Sequence, residues 1–274
     1  MKLQHVRPLQ GIVWVRRGFQ VFLRQPLAYT ALFFSFLFAA FLLLLTMRQL
    51  GALAVLVLMP LVSLGFMLAT RKAVDGSFPL PSLFVEPLRG PRRQVAALLQ
   101  IGLAYAVLSM LSMWLADAID GGKVDALQGA MASGDASAEM MDDPAVQGAL
   151  ITRLLLTVPV SLLFWHAPAL VHWGGKSALQ SVFFSVVACW RNLGAFVIYF
   201  LTWAVAVLFF GVVATLIFTL LAAPQLMALV AFPATLMFVT AFYASLYFTY
   251  ADCFADDAPE PPAPAALEAP TDEA

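Results

Sequence analysis

The segment Trp165-His166-Ala167-Pro168-Ala169-Leu170-Val171-His172-Trp173 gathers the residues of this chain best equipped for chemistry. Imidazole exchanges protons near neutral pH and is the commonest metal ligand. On one continuous helix, however, His166 and His172 stand about 240° apart and cannot chelate a single ion. No metal site is expected. Pro168 changes the local problem: it has no N–H to donate, so it frees a carbonyl one turn earlier, and broken helices inside membranes are places where ligands bind. The alternative is an aromatic belt with an interfacial proline kink. Trp165, His166, Pro168 and His172 are therefore candidates for function or for the lipid interface.

Other motifs carry less. Gly174-Gly175-Lys176-Ser177 resembles the end of a phosphate loop, but Leu170 stands where that loop needs its first glycine and no strand precedes it. Ion coupling requires an ionisable group inside the membrane, and the nearest charges, Arg48, Arg153, Arg191 and Asp252, all fall at the ends of apolar runs where they can reach water. No Ser/His or Asp/Asp pair suits a membrane-embedded hydrolase. The expectation is a protein that is not an enzyme and holds no cofactor. Small residues spaced by four, Gly65 with Ala69, Gly102 with Ala106 and Ala241 with Ser245, allow close helix contact within one chain or between two.

The elements behind these residues follow from composition. The chain is 62% hydrophobic and 11% charged over 274 residues, against roughly 45–50% and about 25% in soluble domains. Its apolar residues come in blocks long enough to cross about 30 Å of hydrocarbon as helices, without the alternation of barrel strands. The reading is an all-α polytopic bundle of six spans at 27–47, 50–70, 95–116, 154–173, 193–223 and 226–250, with Pro224 bending the last turn. All 15 basic residues except Arg48, Lys123 and Arg153 then fall on one side, which the positive-inside rule makes cytoplasmic, together with both termini. An apolar core of this length, paired with a second span, reads as an uncleaved helix rather than a signal peptide. The acidic loop 117–150 belongs outside, and the Pro-rich acidic tail 252–274 is expected to be disordered. Cys189 and Cys253 fall on the cytoplasmic side and read as free thiols. A net charge of −1 gives no reason to expect nucleic acid as a partner.

Two segments look interfacial. Along 9–25, Arg16, Arg17, Gln20 and Arg24 share one arc of a helix and Trp14, Val15, Phe19, Val21 and Phe22 the other, the design of a helix lying among anionic headgroups. Along 177–192, Ser177, Ser181, Ser185, Ala188 and Asn192 oppose Leu179, Val182, Val186 and Trp190; this segment either lies on the membrane or dips into it. Arg24, Arg89 and Arg191 each precede an odd-numbered span, and their spacing becomes nearly equal once the 117–150 insertion is discounted. That pattern fits a threefold repeat of interfacial helix and hairpin. It also fits the general tendency of such helices to end in a cation. Arg24, Arg89, Arg191 and Asn192 join the candidate residues.

Through Trp165 to Leu170, Ser181 to Ser185, Arg191-Asn192 and the Gly11 to Pro26 helix with Trp14, Gly18 and Arg24, the chain resembles a family of uncharacterised multi-pass inner-membrane proteins of Gram-negative bacteria. The resemblance implies topology and location and supplies no catalytic residues. The expected function is non-enzymatic: organising, sensing or scaffolding the envelope, with anionic lipid headgroups as partners at the cytoplasmic face and proteins at the 117–150 loop or the tail. The alternative is a transporter or pore for an uncharged or hydrophobic solute.

Overall fold

The computed structural model describes residues 3–135, 137–222 and 226–254. Pro224 and the tail beyond Phe254 lie outside the described residues. The elements are α1 (Gln10–Arg24), α2 (Pro26–Met47), α3 (Gln49–Val74), two 3-10 turns (Pro81–Phe84 and Glu86–Arg89), α4 (Arg92–Asp120), α5 (Lys123–Ser133) and α6 (Ala138–Asp142). They continue with α7 (Pro144–Phe164), α8 (Ala167–His172), α9 (Ala178–Arg191), α10 (Leu193–Leu220) and α11 (Met227–Cys253). There is no strand among the described residues, and 6 helices are long and apolar enough to span, α7 and α8 counting together as one.

Local chemistry sets the boundaries. Pro26 opens α2 at a position where its missing N–H costs nothing. Arg48 alone turns α2 into α3, at φ +48, and Gly51 is required next because a Cβ there would strike the Leu43 carbonyl. The 117–150 stretch is mostly helical rather than loop: Gly121 and Gly122 end α4 in the left-handed region, Ser137 caps α6, and Asp143 with Pro144 starts α7 ten residues ahead of the expected fourth span.

One end of the bundle gathers the chain's N-terminal segment, the turns between α3 and α4, the α8–α9 connection and the end of α11. Gln4 N–H donates to the Cys253 carbonyl at 2.9 Å, and His5 Nδ1 lies 3.0 Å from the Arg191 carbonyl. This basic end also holds the core. The buried residues of α2 are Ala28, Tyr29 and Leu32, and those of α10 are Ala195, Phe196, Tyr199 and Trp203, all in the first turns; the remainder of both helices is largely exposed apolar surface. Such surface is unremarkable against lipid.

Helix α1 corrects the sequence reading. Its apolar stripe, Gly11, Trp14, Val15, Gly18, Val21 and Phe22, is buried against α10 and α11, not spread over headgroups. Trp14 packs tilted against Phe196 and edge-on against Tyr199, with centroids at 5.4 and 6.0 Å. The small-residue pair Ala241 and Ser245 of α11 receives Gly18, and Gly102 of α4 meets the Val57 carbonyl of α3, so both motifs serve packing inside the chain.

Helix α9 keeps the two sides read from the sequence and turns the small polar one toward the bundle. Ser181, Ser185, Ala188, Cys189 and Asn192 face inward, while Leu179, Phe183 and Trp190 are exposed. Against lipid, the outward face is the apolar one, and small hydroxylated residues let backbones approach. The threefold pattern is met only in part: Arg24, Arg89 and Arg191 each end their short element, yet the middle element is a pair of 3-10 turns rather than a helix. Asp252, read as the start of the tail, belongs to α11.

Candidate functional site at the helix break

Helix α7 stops at Phe164 and α8 starts at Ala167, with Pro168 in the first turn of the new helix. The proline ring would collide with the carbonyl four residues earlier, so the ladder must open here. What fills the opening is Ser185 of α9. His166 N–H donates to Ser185 Oγ at 3.0 Å, and Ser185 Oγ–H donates to the Leu162 carbonyl at 3.0 Å. In an unbroken helix residue 166 would donate directly to residue 162. The serine hydroxyl is spliced into that single missing bond.

His166 is wholly buried. Its Nε2 lies 3.3 Å from Thr249 Oγ1, which also accepts from Trp165 Nε1 at 3.0 Å and donates its one proton to the Leu246 carbonyl at 2.8 Å. The imidazole must therefore donate through Nε2, leaving Nδ1 to face Cys189 Sγ at 3.9 Å. Phe196, Tyr250 and Phe254 enclose the ring, with centroids between 5.5 and 6.2 Å away. This is a closed polar knot joining α7, α8, α9 and α11. Burial pushes the Cys189 thiol up to about 12, so it stays protonated and a poor nucleophile.

His172 does not join it. Its Nδ1 pairs with Gln94 Nε2 at 2.7 Å, tying α8 to α4, and Trp173 beside it lies under the Arg71 guanidinium at 5.6 Å. Among the described residues no group of three His, Cys, Asp or Glu is placed to hold a metal.

Asn192 is a second knot. Its Oδ1 accepts from Val6 N–H at 2.9 Å, and its Nδ2 donates to the Gln4 and Ala188 carbonyls, both at 3.1 Å. A side-chain amide thus replaces a neighbouring strand for the chain's N-terminal segment. Arg24, Arg89 and Arg191 are exposed and make no ion pair among the described residues.

Sequence reasoning missed three features. Asp252 accepts from Gln10 Nε2 at 2.6 Å and Trp14 Nε1 at 2.7 Å and lies 3.6 Å from Arg17, so it anchors α1; the spacing of Gln10, Trp14 and Arg17 on one helical face was the available signal. At the opposite end, Arg153 pairs with Asp117, with Asp120 at 3.1 Å and with Asp125 at 3.0 Å, where a lone snorkelling cation was expected. Third, a cavity of about 150 Å³ adjoins the break, lined by Pro60, Ser63, Tyr105, Ser161, Trp165 and Tyr243. Nothing in the sequence marks these as neighbours.

No protein-family model and no solved structure matches the chain. It is 34% identical over 266 residues to a protein of Burkholderia thailandensis named "Probable inner membrane protein", an alignment that covers 96% of this chain and 97% of the relative. The chain belongs to the family of that protein and is, with its six apolar helices, a multi-pass inner-membrane protein.

Proposed function

We propose that this protein is a non-enzymatic organiser of the inner membrane that gathers anionic phospholipid around its basic end, with that end and both termini in the cytoplasm. One observation carries the reading. Arg16, Arg24, Arg89, Arg92, Arg93 and Arg191 cluster at the end where the core is packed, and none of them has a carboxylate partner among the described residues. Of the described acids at the basic end, Glu86 pairs with Lys72 and Asp252 with Arg17, and Asp75 alone is left to offset the cations. Cations in a juxtamembrane layer each contribute about 1 kcal/mol toward an anionic leaflet. Purified in mild detergent, the protein is expected to carry phosphatidylglycerol and other anionic lipids in excess of their share of the bulk membrane. Lipid retained in bulk proportion would overturn the reading.

Orientation is tested separately. Cys189 and Cys253 are buried, so a membrane-impermeant maleimide should report added cysteines. Ser133→Cys on α5 is expected to label from the periplasm in intact cells and Ser77→Cys only after lysis. The reverse pattern would put the basic end outside.

A second reading has its own support in the cavity beside the break. Ser63, Tyr105, Ser161 and Tyr243 bring hydroxyl-bearing side chains to an otherwise apolar and aromatic lining, chemistry suited to a small uncharged solute. Saturable uptake of neutral solutes into proteoliposomes, without anionic lipid enrichment, would favour it over the first.

A further inference from the structure

We propose that the cavity between the first turns of α4 and α9 is a binding site for a phosphate ester, filled by the headgroup of an anionic phospholipid. It deepens the lipid-organising reading above and rests on it. The cavity measures about 370 Å³, and its polar lining includes Arg93, Gln100, Lys176 and Ser177, with Ala97 and Val171 among its apolar walls. No carboxylate lines it among the described residues.

Three properties of the cavity point to phosphate. First, its two cations are uncompensated: neither Arg93 nor Lys176 has an ion pair among the described residues, and Lys176 is half-buried, its ammonium 5.9 Å from the Phe184 ring centroid. A partly desolvated cation without a counterion is costly, and an incoming anion removes that cost. Second, the donors suit an oxygen-rich group. A planar guanidinium supplies paired N–H donors and an ammonium a point charge. Ser177 Oγ accepts from Gln180 N–H, which leaves its proton to donate, and α9 runs for 14 residues away from the cavity with its N-terminus at the rim. Third, the surroundings suit a lipid. Gln100 lines the cavity, and Leu99, Leu103 and Val107 continue from it along α4 as exposed apolar surface, a track for an acyl chain.

A soluble organic phosphate would meet the same donors, so the test separates the two sources. Full-length protein in mild detergent is titrated with phosphatidylglycerol, phosphatidylcholine and glycerol 1-phosphate, and binding is read by native mass spectrometry. Wild-type protein is expected to prefer phosphatidylglycerol to phosphatidylcholine. Each of Arg93→Gln and Lys176→Gln should weaken phosphatidylglycerol about tenfold. Gln100→Glu, which removes no cation and adds a negative charge to the lining, should weaken it as well. Lys123→Gln, at the opposite end of the bundle, should not. Failure of glycerol 1-phosphate to compete supports the lipid; competition at similar concentration overturns the lipid assignment in favour of a soluble phosphate ester. If wild-type protein keeps its anionic preference and the three cavity variants share it undiminished, this site is wrong and the wider reading stands. If wild-type protein has no anionic preference, the wider reading fails first.

Discussion

Replacing Gly18 with leucine is expected to undock α1 from the bundle and to cost about 3 kcal/mol or more, seen as a lower unfolding temperature and as protease access to the α1–α2 junction. A Cβ built at Gly18 lies 2.6 Å from Ser245 Cβ, 2.7 Å from the Ala241 carbonyl oxygen and 3.2 Å from Ser245 Cα. Two of those three atoms are backbone of α11 and cannot swing aside. Overpacking that rotamers can absorb costs about 1–3 kcal/mol, and a backbone clash lies at or beyond the top of that range. The consequence spreads because α1 carries much of the core, including the fully buried Trp14 and its bond to Asp252. Gly148→Ala is the control. Nothing lies within 4 Å of a Cβ there, and in a helix interior alanine is favoured over glycine by up to about 1 kcal/mol. Wild-type stability in Gly18→Leu would refute the close packing of α1 on α11.

The six spans were legible because crossing a membrane is a demand on length and composition alone, and both can be counted along the chain. The faces of α1 and α9 were not. Amphipathicity identifies which residues share a side, but which side turns inward depends on the solvent. In water, Ser181, Ser185 and Ala188 would face out; here Leu179, Phe183 and Trp190 do. For α1 the partition of arcs was right and the partner wrong, since the sequence does not say whether an apolar stripe meets lipid or another helix. Glycines 11 and 18 on that stripe were the available clue, because a surface lying among headgroups has no need of them.

The break after Phe164 was readable from Pro168, but its consequence lay in a residue that sequence places on a different element. A freed carbonyl inside the membrane invited a ligand; at the break itself the structure shows the Leu162 carbonyl, one turn ahead of His166, accepting from Ser185. Asn192 shows the same economy at the N-terminal segment, where one carboxamide holds Gln4 and Val6. Both residues are small polar side chains at turns of α9, a helix long enough to brace the basic end and too short to cross. The functional residues of this helix thus face two ways: Ser185 and Asn192 hold the fold, and its first turn, at Lys176 and Ser177, opens onto the cationic cavity.

The hydroxyls of α9 give the sharpest test of that division. Ser185→Ala is expected to destabilise the protein by about 1–3 kcal/mol, because the buried His166 N–H loses its partner and the Leu162 carbonyl keeps only the weak donor Cys189 Sγ at 3.8 Å. Partial closing of the ladder, with residue 166 donating straight to residue 162, would bring the loss toward the lower figure. Ser181→Ala, one turn away on the same buried face, is expected to have the opposite sign. Ser181 Oγ is buried with no hydrogen-bond partner among the described residues, so removing it relieves an unsatisfied group. The two variants delete the same atom from the same helix and differ only in what that atom touches. Thermal unfolding in one detergent should therefore place Ser185→Ala below wild type and Ser181→Ala at or above it. Equal losses in both would mean that serine serves α9 only as a small packing residue, and the spliced hydrogen bond would then contribute nothing to holding the break.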